Sequence, residues 1–314
     1  MSVKLLLLAA LAAGSGCHLT AGPSEPPAHA PAYIIVAGET VPVPFRVVSF
    51  IDAQGYSALR EHCWFAKQRR LPRRPAPGCN TPKRYGERTT EGMGRRTAAR
   101  VLANGWDRRS LGERIDLFVL HYDVCSSSRR CFEVLHDVRG LSCHFLLDLD
   151  GTLYQTLDLS LRARHAGSVN NRSIGIEIAH IGAYTDGEVL GRFYHPGADG
   201  YVWLEVPKEY GPPPGGPFRP ARPGLIRGKI HGQELIMPDY TEAQYATLRA
   251  LTKSLSGIFP RVRRRAPRDA DGTVRSTVLA PERLAAFNGV VGHYHLTRSK
   301  IDPGPALDWD RILK

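Results

Sequence analysis

Asp116-Leu-Phe-Val-Leu-His121 and Ser173-Ile-Gly-Ile-Glu-Ile178 are the stretches on which the fold turns. The first is a continuous apolar run that ends in a histidine, the pattern of a strand buried on both faces. In the second, Ile174, Ile176 and Ile178 point one way while Gly175 and Glu177 point the other. Between them lies Cys143-His-Phe-Leu-Leu-Asp-Leu149, where Phe145, Leu147 and Leu149 share one face and His144 shares the other with Leu146 and Asp148. Asp150-Gly151 then turns the chain, and Thr152–Leu157 returns as the second arm of a hairpin. Val290-Val-Gly-His293 is one more short strand ending in histidine. Strands of this kind, interleaved with helices, predict an α/β fold.

Working outward, Thr241 and Gln244 have the spacing of a capping box. Tyr245, Leu248, Leu251, Leu255 and Ile258 then form an apolar stripe that Pro260 ends, which predicts a long amphipathic helix. Shorter helices are expected around 91–105 and 280–288. Residues 181–240 are rich in Pro, Gly and aromatics, too long for a simple connection, and read as an insertion or lid. A second insertion, arginine-rich, covers 261–275.

The chain has 314 residues, of which 42% are hydrophobic and 23% charged, which excludes wholesale disorder. Its formal net charge of +12 first suggests nucleic acid. Located along the chain, that excess changes meaning. Residues 60–114 hold 15 Lys/Arg against 5 Asp/Glu, and residues 261–275 hold 6 Arg against 2 Asp. Everything else is close to neutral, and no nucleic-acid motif accompanies the basic runs. A solvated face, or attraction to anionic wall polymer, explains them better.

The N-terminus reads as an export signal over 1–16, with one lysine ahead of a leucine- and alanine-rich run too short to span a bilayer. Small residues before Cys17 predict lipidation there, although Gly14 stands where a lipobox usually carries Leu. Residues 17–45, Pro/Ala/Ser-rich over 20–32, are expected to tether the body of the protein, while the apolar runs Tyr33–Val36 and Val47–Ile51 within 33–59 read as short strands. Residues 46–114 form a basic N-terminal extension, and 115–314 the domain that carries the chemistry. The expected location is the cell envelope, membrane-anchored or periplasmic.

That chemistry collects at strand ends. His121 and His293 each close a strand, and Asp302 lies nine residues after the second. Two imidazoles and a carboxylate are a three-ligand zinc set that leaves a position for water. Any one of the 12 histidines taken alone is more often a hydrogen-bonded residue than a ligand. Glu177, a carboxylate in an apolar strand, reads either as a structural ion pair or as a general base raised by burial. Lys300 reads as a solvated lysine or as a cation facing an oxyanion.

At these residues a family resemblance emerges. FVLHYDV at 118–124, CHFLLDLDGTLYQ at 143–155, RHAGSVNNRSIGIEI at 164–178, YTEAQYATL at 240–248 and VVGHYHLTRSKIDPGPALDW at 290–309 occur in the order seen in type 2 N-acetylmuramoyl-L-alanine amidases and peptidoglycan-recognition proteins. The chain resembles that family over roughly 115–310. The resemblance implies a mixed sheet flanked by helices, one Zn2+ held by His121, His293 and Asp302, Glu177 as catalytic base and Lys300 as transition-state partner. It implies substrate contacts from the region of His144, His165 and Asn171, with peptidoglycan or muropeptides as partner. The family's recognition branch also implies a Cys125–Cys131 disulfide. Cys63 and Cys79 would then pair, leaving Cys143 free. The rival reading makes Cys143 or the Cys125/Cys131 pair metal ligands. Arg164 departs from the Trp that often precedes His-Ala-Gly, and Cys143 from a frequent Tyr. Retention of Glu177 favours an active amidase over a non-catalytic recognition module. The absence of His-Glu-x-x-His weighs against the best-known zinc peptidases.

Overall fold

A computed structural model describes residues 32–65 and 84–314. The chain begins with a hairpin, β1 (Tyr33–Val36) and β2 (Glu39–Pro42), then β3 (Val47–Ser49) and β4 (Tyr85–Glu87). Helices α1 (Arg95–Asn104) and α2 (Arg108–Arg114) precede β5 (Leu117–Tyr122). A short α3 (Ser128–Phe132) runs into a π-helical turn, Glu133–Arg139, ahead of β6 (Phe145–Leu147), β7 (Leu153–Gln155), β8 (Leu161–Ala163) and β9 (Ser173–Ile178). Two hairpins follow, β10 (Tyr194–Pro196) with β11 (Val202–Leu204) and β12 (Ile226–Ile230) with β13 (Gln233–Met237). The chain closes with α4 (Glu242–Ile258), α5 (Pro281–Ala286), β14 (Gly289–Gly292) and α6 (Trp309–Leu313).

Six strands form the central sheet in the order β14-β5-β9-β6-β7-β3. Only the β6–β7 pair is antiparallel; the other four neighbours run parallel. The sheet is therefore mixed, as expected. The alternation read from β9 holds: Ile174, Ile176 and Ile178 join Phe118, Leu120 and Phe145 in the main core. Helix α4 covers that face with Tyr245, Leu248, Leu251 and Leu255. The capping box at its start forms, with Thr241 Oγ1 accepting from the Gln244 amide at 3.1 Å and Gln244 Oε1 accepting from the Thr241 amide at 3.0 Å. Both side chains also donate to carbonyls beside the sheet, Thr241 to Leu149 and Gln244 to Ala179, so the cap anchors the helix as well as starting it. The opposite face of β5 and β9 is left for the site.

The tether expected over 17–45 is corrected at its C-terminal end. Ile34, Val36 and Val43 are core residues. Gln155 on β7 accepts from the Ile35 amide and donates to the Ile35 carbonyl, each at 2.8 Å, while Asp158 accepts from the amides of Ala37 and Gly38. Loss of Gln155 would leave buried backbone groups unpaired, at about 1–3 kcal/mol each. The 46–114 stretch is likewise built into the fold, because β3 is an edge strand of the central sheet and Leu111 lies in the core. Part of its basic charge is also spent internally. Arg88 is buried and donates to the carbonyls of Leu159, Asn170, Asn171 and Ser173. In the 261–275 insertion, Arg261, Arg268 and Arg275 pair with Asp116, Asp310 and Asp269. The 181–240 insertion has a small core of its own, including Leu190, Tyr194 and Leu204.

The expected export segment, Cys17 and most of the tether lie outside the described residues, as does Cys79. No helix among the described residues is long and apolar enough to cross a membrane.

Candidate active site

Parallel pairing brings the chemical residues together. His121 on β5 is in register with Glu177 on β9, and Gly292 at the end of β14 is in register with Leu120, so His293 follows beside His121. Parallel strands present their C-terminal ends at one edge, where α/β sites assemble. Register also puts these side chains on the face away from α4. After His293 the chain makes a 3-10 turn and folds back, with the Tyr294 amide donating to the Asp302 carbonyl at 3.1 Å. Gly292 permits this return, since a Cβ there would lie 2.6 Å from Pro303 Cδ.

The result is a close triangle. His121 Nδ1, His293 Nδ1 and Asp302 Oδ2 are 3.0 Å from one another. Among the described residues they are the group of His, Cys, Asp and Glu able to hold a metal ion. The donor set fits a cation: two imidazole nitrogens and a carboxylate oxygen converge on one point, and one ring proton cannot satisfy all three contacts. Tetrahedral zinc, with bonds of about 2.0–2.2 Å, needs ligand atoms about 3.3 Å apart. Burial pushes His121 down to about 4, against the contrary pull of Asp302, which keeps the ring neutral as a ligand must be. Burial alone would raise Asp302, but hydrogen bonds from His121 and His293 hold it below the usual carboxylate range.

His165 supports the triangle from behind. Its Nδ1 lies 3.0 Å from His121 Nε2, and its Nε2 lies 3.2 Å from Ser173 Oγ. This contact fixes the second nitrogen of a ligand ring, the usual task of an outer-shell partner. The ring rests over Gly175, where a Cβ would run into it. Gly175→Ala should displace His165 and weaken zinc binding by roughly 10- to 100-fold, with the far-UV circular dichroism unchanged. Unaltered zinc affinity would show that His165 does not orient His121.

A cavity of 260 Å³ opens beside the triangle, lined by Glu177, Lys300, His165, Asp123, Arg139 and Arg164 among others. Glu177 is held well above the usual carboxylate range, first by burial and then by Asp302 and Asp123; Arg139 and Lys300 pull the other way. A divalent cation at the triangle would also pull it down. Asp123 was not foreseen from the sequence. Its Oδ1 accepts from the amides of Cys125, Ser126 and His180, shaping the loop after β5, while burial pushes the carboxyl up to about 8.

Several expected residues stand elsewhere. His144 is fully buried and outside the cavity. Its Nδ1 accepts from the Gly175 amide at 3.0 Å and its Nε2 lies 3.1 Å from the Leu161 carbonyl, so it joins strands rather than meeting substrate. Asn171 also misses the cavity; its side chain ties Thr89 to the loop before β9. The Cys125–Cys131 disulfide is not formed. Cys125, Cys131 and Cys143 are free, buried among Phe132, Leu135 and Leu146, and burial raises all three thiols well above their ordinary value. They pack as small apolar groups. Cys63 is disulfide-bonded. The second histidine of His-Tyr-His, His295, accepts from the Gly292 amide and contacts the Arg275 carbonyl, so it braces the turn and is not a ligand.

The chain is similar in structure to the N-acetylmuramyl-L-alanine amidase AmiD from E. coli, solved with the substrate anhydro-N-acetylmuramic acid-L-Ala-D-gamma-Glu-L-Lys, at 20% identity and a TM-score of 0.35. That match covers 63% of this chain and spans 56% of AmiD. A selenomethionine AmpD structure matches at 20% identity over 81% of this chain and 97% of AmpD, with a TM-score of 0.33. The endolysin amidase LysCS from Clostridium intestinale matches at 13% identity over 64% of this chain and 83% of its own, with a TM-score of 0.32. No curated protein matches the sequence. The family model for N-acetylmuramoyl-L-alanine amidases matches residues 111–305, which contain the histidine-aspartate triangle, Glu177 and Lys300. By that match, over more than half of its length, the chain belongs to the N-acetylmuramoyl-L-alanine amidase family.

Proposed function

We propose that this protein is a zinc-dependent peptidoglycan amidase that cuts the amide between the lactyl carbonyl of N-acetylmuramic acid and L-alanine. One observation carries the reading: three metal-ligand atoms 3.0 Å apart share a cavity with Glu177 and Lys300. His121, His293 and Asp302 would hold the ion. When bound, zinc supplies Lewis acidity toward a carbonyl oxygen and makes water a stronger acid.

The chain's own groups do the rest. Glu177 lines the cavity beside the triangle and takes a proton from the water that attacks the lactyl carbonyl. It then delivers that proton to the alanine nitrogen as the C–N bond breaks, so the products are a muramoyl carboxylate and a free α-amine. Lys300 brings an ammonium to the oxyanion that forms between these steps. Its loop is steadied by the 181–240 insertion, because His231 at the β12–β13 turn lies 3.0 Å, through Nε2, from the Lys300 carbonyl. His165 keeps His121 in orientation throughout. The envelope is the proposed place of action, on the strength of the export signal and Cys17.

Digestion of purified sacculi with the zinc-loaded protein tests the reading. The expected result is release of peptides with new L-alanine N-termini. Zinc-loaded protein that binds sacculi but releases nothing would instead support a recognition module.

A further inference from the structure

A second cavity, of 480 Å³, lies at the opposite end of the sheet from the triangle. Asp116, the residue before β5, and Arg172, the residue before β9, stand in its wall. The length of β5, about 16 Å at 3.3 Å per residue, separates Asp116 from His121. The two cavities share no lining residue.

The charge of this second cavity is not balanced from within. Three arginines, Arg114, Arg172 and Arg261, meet two carboxylates there, Asp116 and Glu113. Asp116 serves two of them, accepting from Arg172 Nε at 2.7 Å and from Arg261 Nη2 at 3.0 Å. Glu113 turns to α1, where it accepts from Thr97 Oγ1 at 2.6 Å and pairs loosely with Arg100 at 3.9 Å. Arg114 is left over. Its Nη2 donates to the carbonyls of Thr89 and Glu91, which fixes the guanidinium in the wall. Among the described residues it makes no ion pair, and its Nε is buried without a hydrogen-bond partner. Burial holds Arg114 below the ordinary arginine pKa; Arg261 and Arg172 push the same way, against Asp116 and Glu91. A buried charged donor with no acceptor is costly, and an anion removes that cost.

A second, independent feature favours an anion at the same place. Gly92, Met93 and Gly94 line the cavity, and Gly94 is the N-cap of the ten-residue α1. Gly94 brings no side-chain acceptor, and the first turn of α1 has no acidic residue. The first amides of a helix have no intrahelical acceptor, and the helix dipole is positive there. Arginine donors and helix amides around one cavity are the chemistry that binds phosphate.

We propose that this cavity binds a phosphate group, held by Arg114 with Arg261 and the start of α1. The proposal is independent of the amidase reading, since it uses no residue of the catalytic cleft. The chemistry is common to a free phosphate anion and to the headgroup of an anionic phospholipid. A lipid phosphate held here would leave the cleft at the far end of the sheet, facing away from the bilayer.

Calorimetric titration of the full zinc-loaded chain with inorganic phosphate is the first test, on the native protein and three variants. Arg114→Ala removes the unpaired guanidinium. Met93→Glu sets a carboxylate in the wall beside the start of α1 and removes no side-chain hydrogen bond, so it decides the matter even if Arg114→Ala does not fold. Arg249→Ala takes one charge from the exposed side of α4, outside both cavities. Arg114→Ala and Met93→Glu should each weaken phosphate binding at least about 10-fold, with Arg249→Ala at the native value. Sedimentation with vesicles of phosphatidylglycerol and phosphatidylcholine, against phosphatidylcholine alone, identifies the source. If the headgroup is bound, the two cavity variants lose about fivefold in partitioning and Arg249→Ala does not. If only the free anion is bound, all three variants partition alike and the cavity variants lose phosphate affinity alone. Native phosphate affinity in both cavity variants would put the bound ion elsewhere, such as at the zinc site, and overturns the proposal. An equal fall in Arg249→Ala overturns it too, as does a native chain that binds no phosphate and whose vesicle partitioning the three variants change alike.

Discussion

Glu177→Gln lowers muropeptide turnover by roughly 10²- to 10⁴-fold, the usual worth of a positioned general base, while zinc content stays at that of the native protein. Glutamine keeps the shape of the side chain but cannot take up a proton. Glu177 is in register with His121 and lines the cavity without belonging to the ligand triangle, so the change removes a proton acceptor and leaves the ion's site whole. The substitution also relieves a strained charge. Burial, then Asp302 and Asp123, disfavours the ionised carboxyl, and a neutral amide does not meet that cost. The variant should therefore melt no lower than the native chain. Measurement of kcat beside metal analysis and thermal unfolding separates the roles. Native turnover in Glu177→Gln would remove it as the base, and lost zinc would make it a ligand instead.

Asp302→Asn weakens zinc binding by at least about 100-fold, since changes in outer-shell residues alone cost 10- to 100-fold. The substitution removes the one formal negative charge of the triangle. Its oxygen lies 3.0 Å from both His121 Nδ1 and His293 Nδ1, so it balances the charge of the ion and orders the two rings. Competition against a chromogenic chelator reads the affinity. Thermal unfolding provides an independent measure, because a ligand bound to the folded state raises stability by mass action. Zinc should raise the native melting temperature, chelation should reverse the rise, and Asp302→Asn should show little of it. Native-like zinc affinity in Asp302→Asn would transfer the ligand role to another side chain.

The residues of the site were legible because the chain announces them at strand ends. The apolar run before His121 and the alternation through Glu177 are local patterns, and both survive intact in β5 and β9. The capping box of α4 was equally local, depending on two residues three apart. Other features were not legible, each for a reason of distance. Whether His144 faces a cleft depends on Arg88, Leu161 and Gly175, which surround it from three other segments. Asn171 meets Thr89 across 82 positions of chain. Tyr33–Val36 is strand-like in its own apolar pattern, but whether it belongs to the 17–45 tether or to the body of the protein depends on Gln155 and Asp158, more than a hundred residues away, which hold it. The cysteine spacing matched a family disulfide, yet the thiols occupy an apolar pocket where packing takes the place of a bond.

By itself the sequence determined the kinds of groups at the site and their order along the chain: two histidines, an aspartate, a glutamate and a lysine, on strands whose periodicity sets the face each side chain takes. Only the tertiary structure decided which of them meet. Three parallel strands in register carry His121, Glu177 and His293 to one edge of the sheet, a tight return after His293 brings Asp302 into the triangle, and the end of a π-helical turn sets Arg139 at the same cavity. The physical reason is that ligand geometry and cavity charge arise from contacts between distant segments, whereas periodicity and capping are properties of a few neighbouring residues.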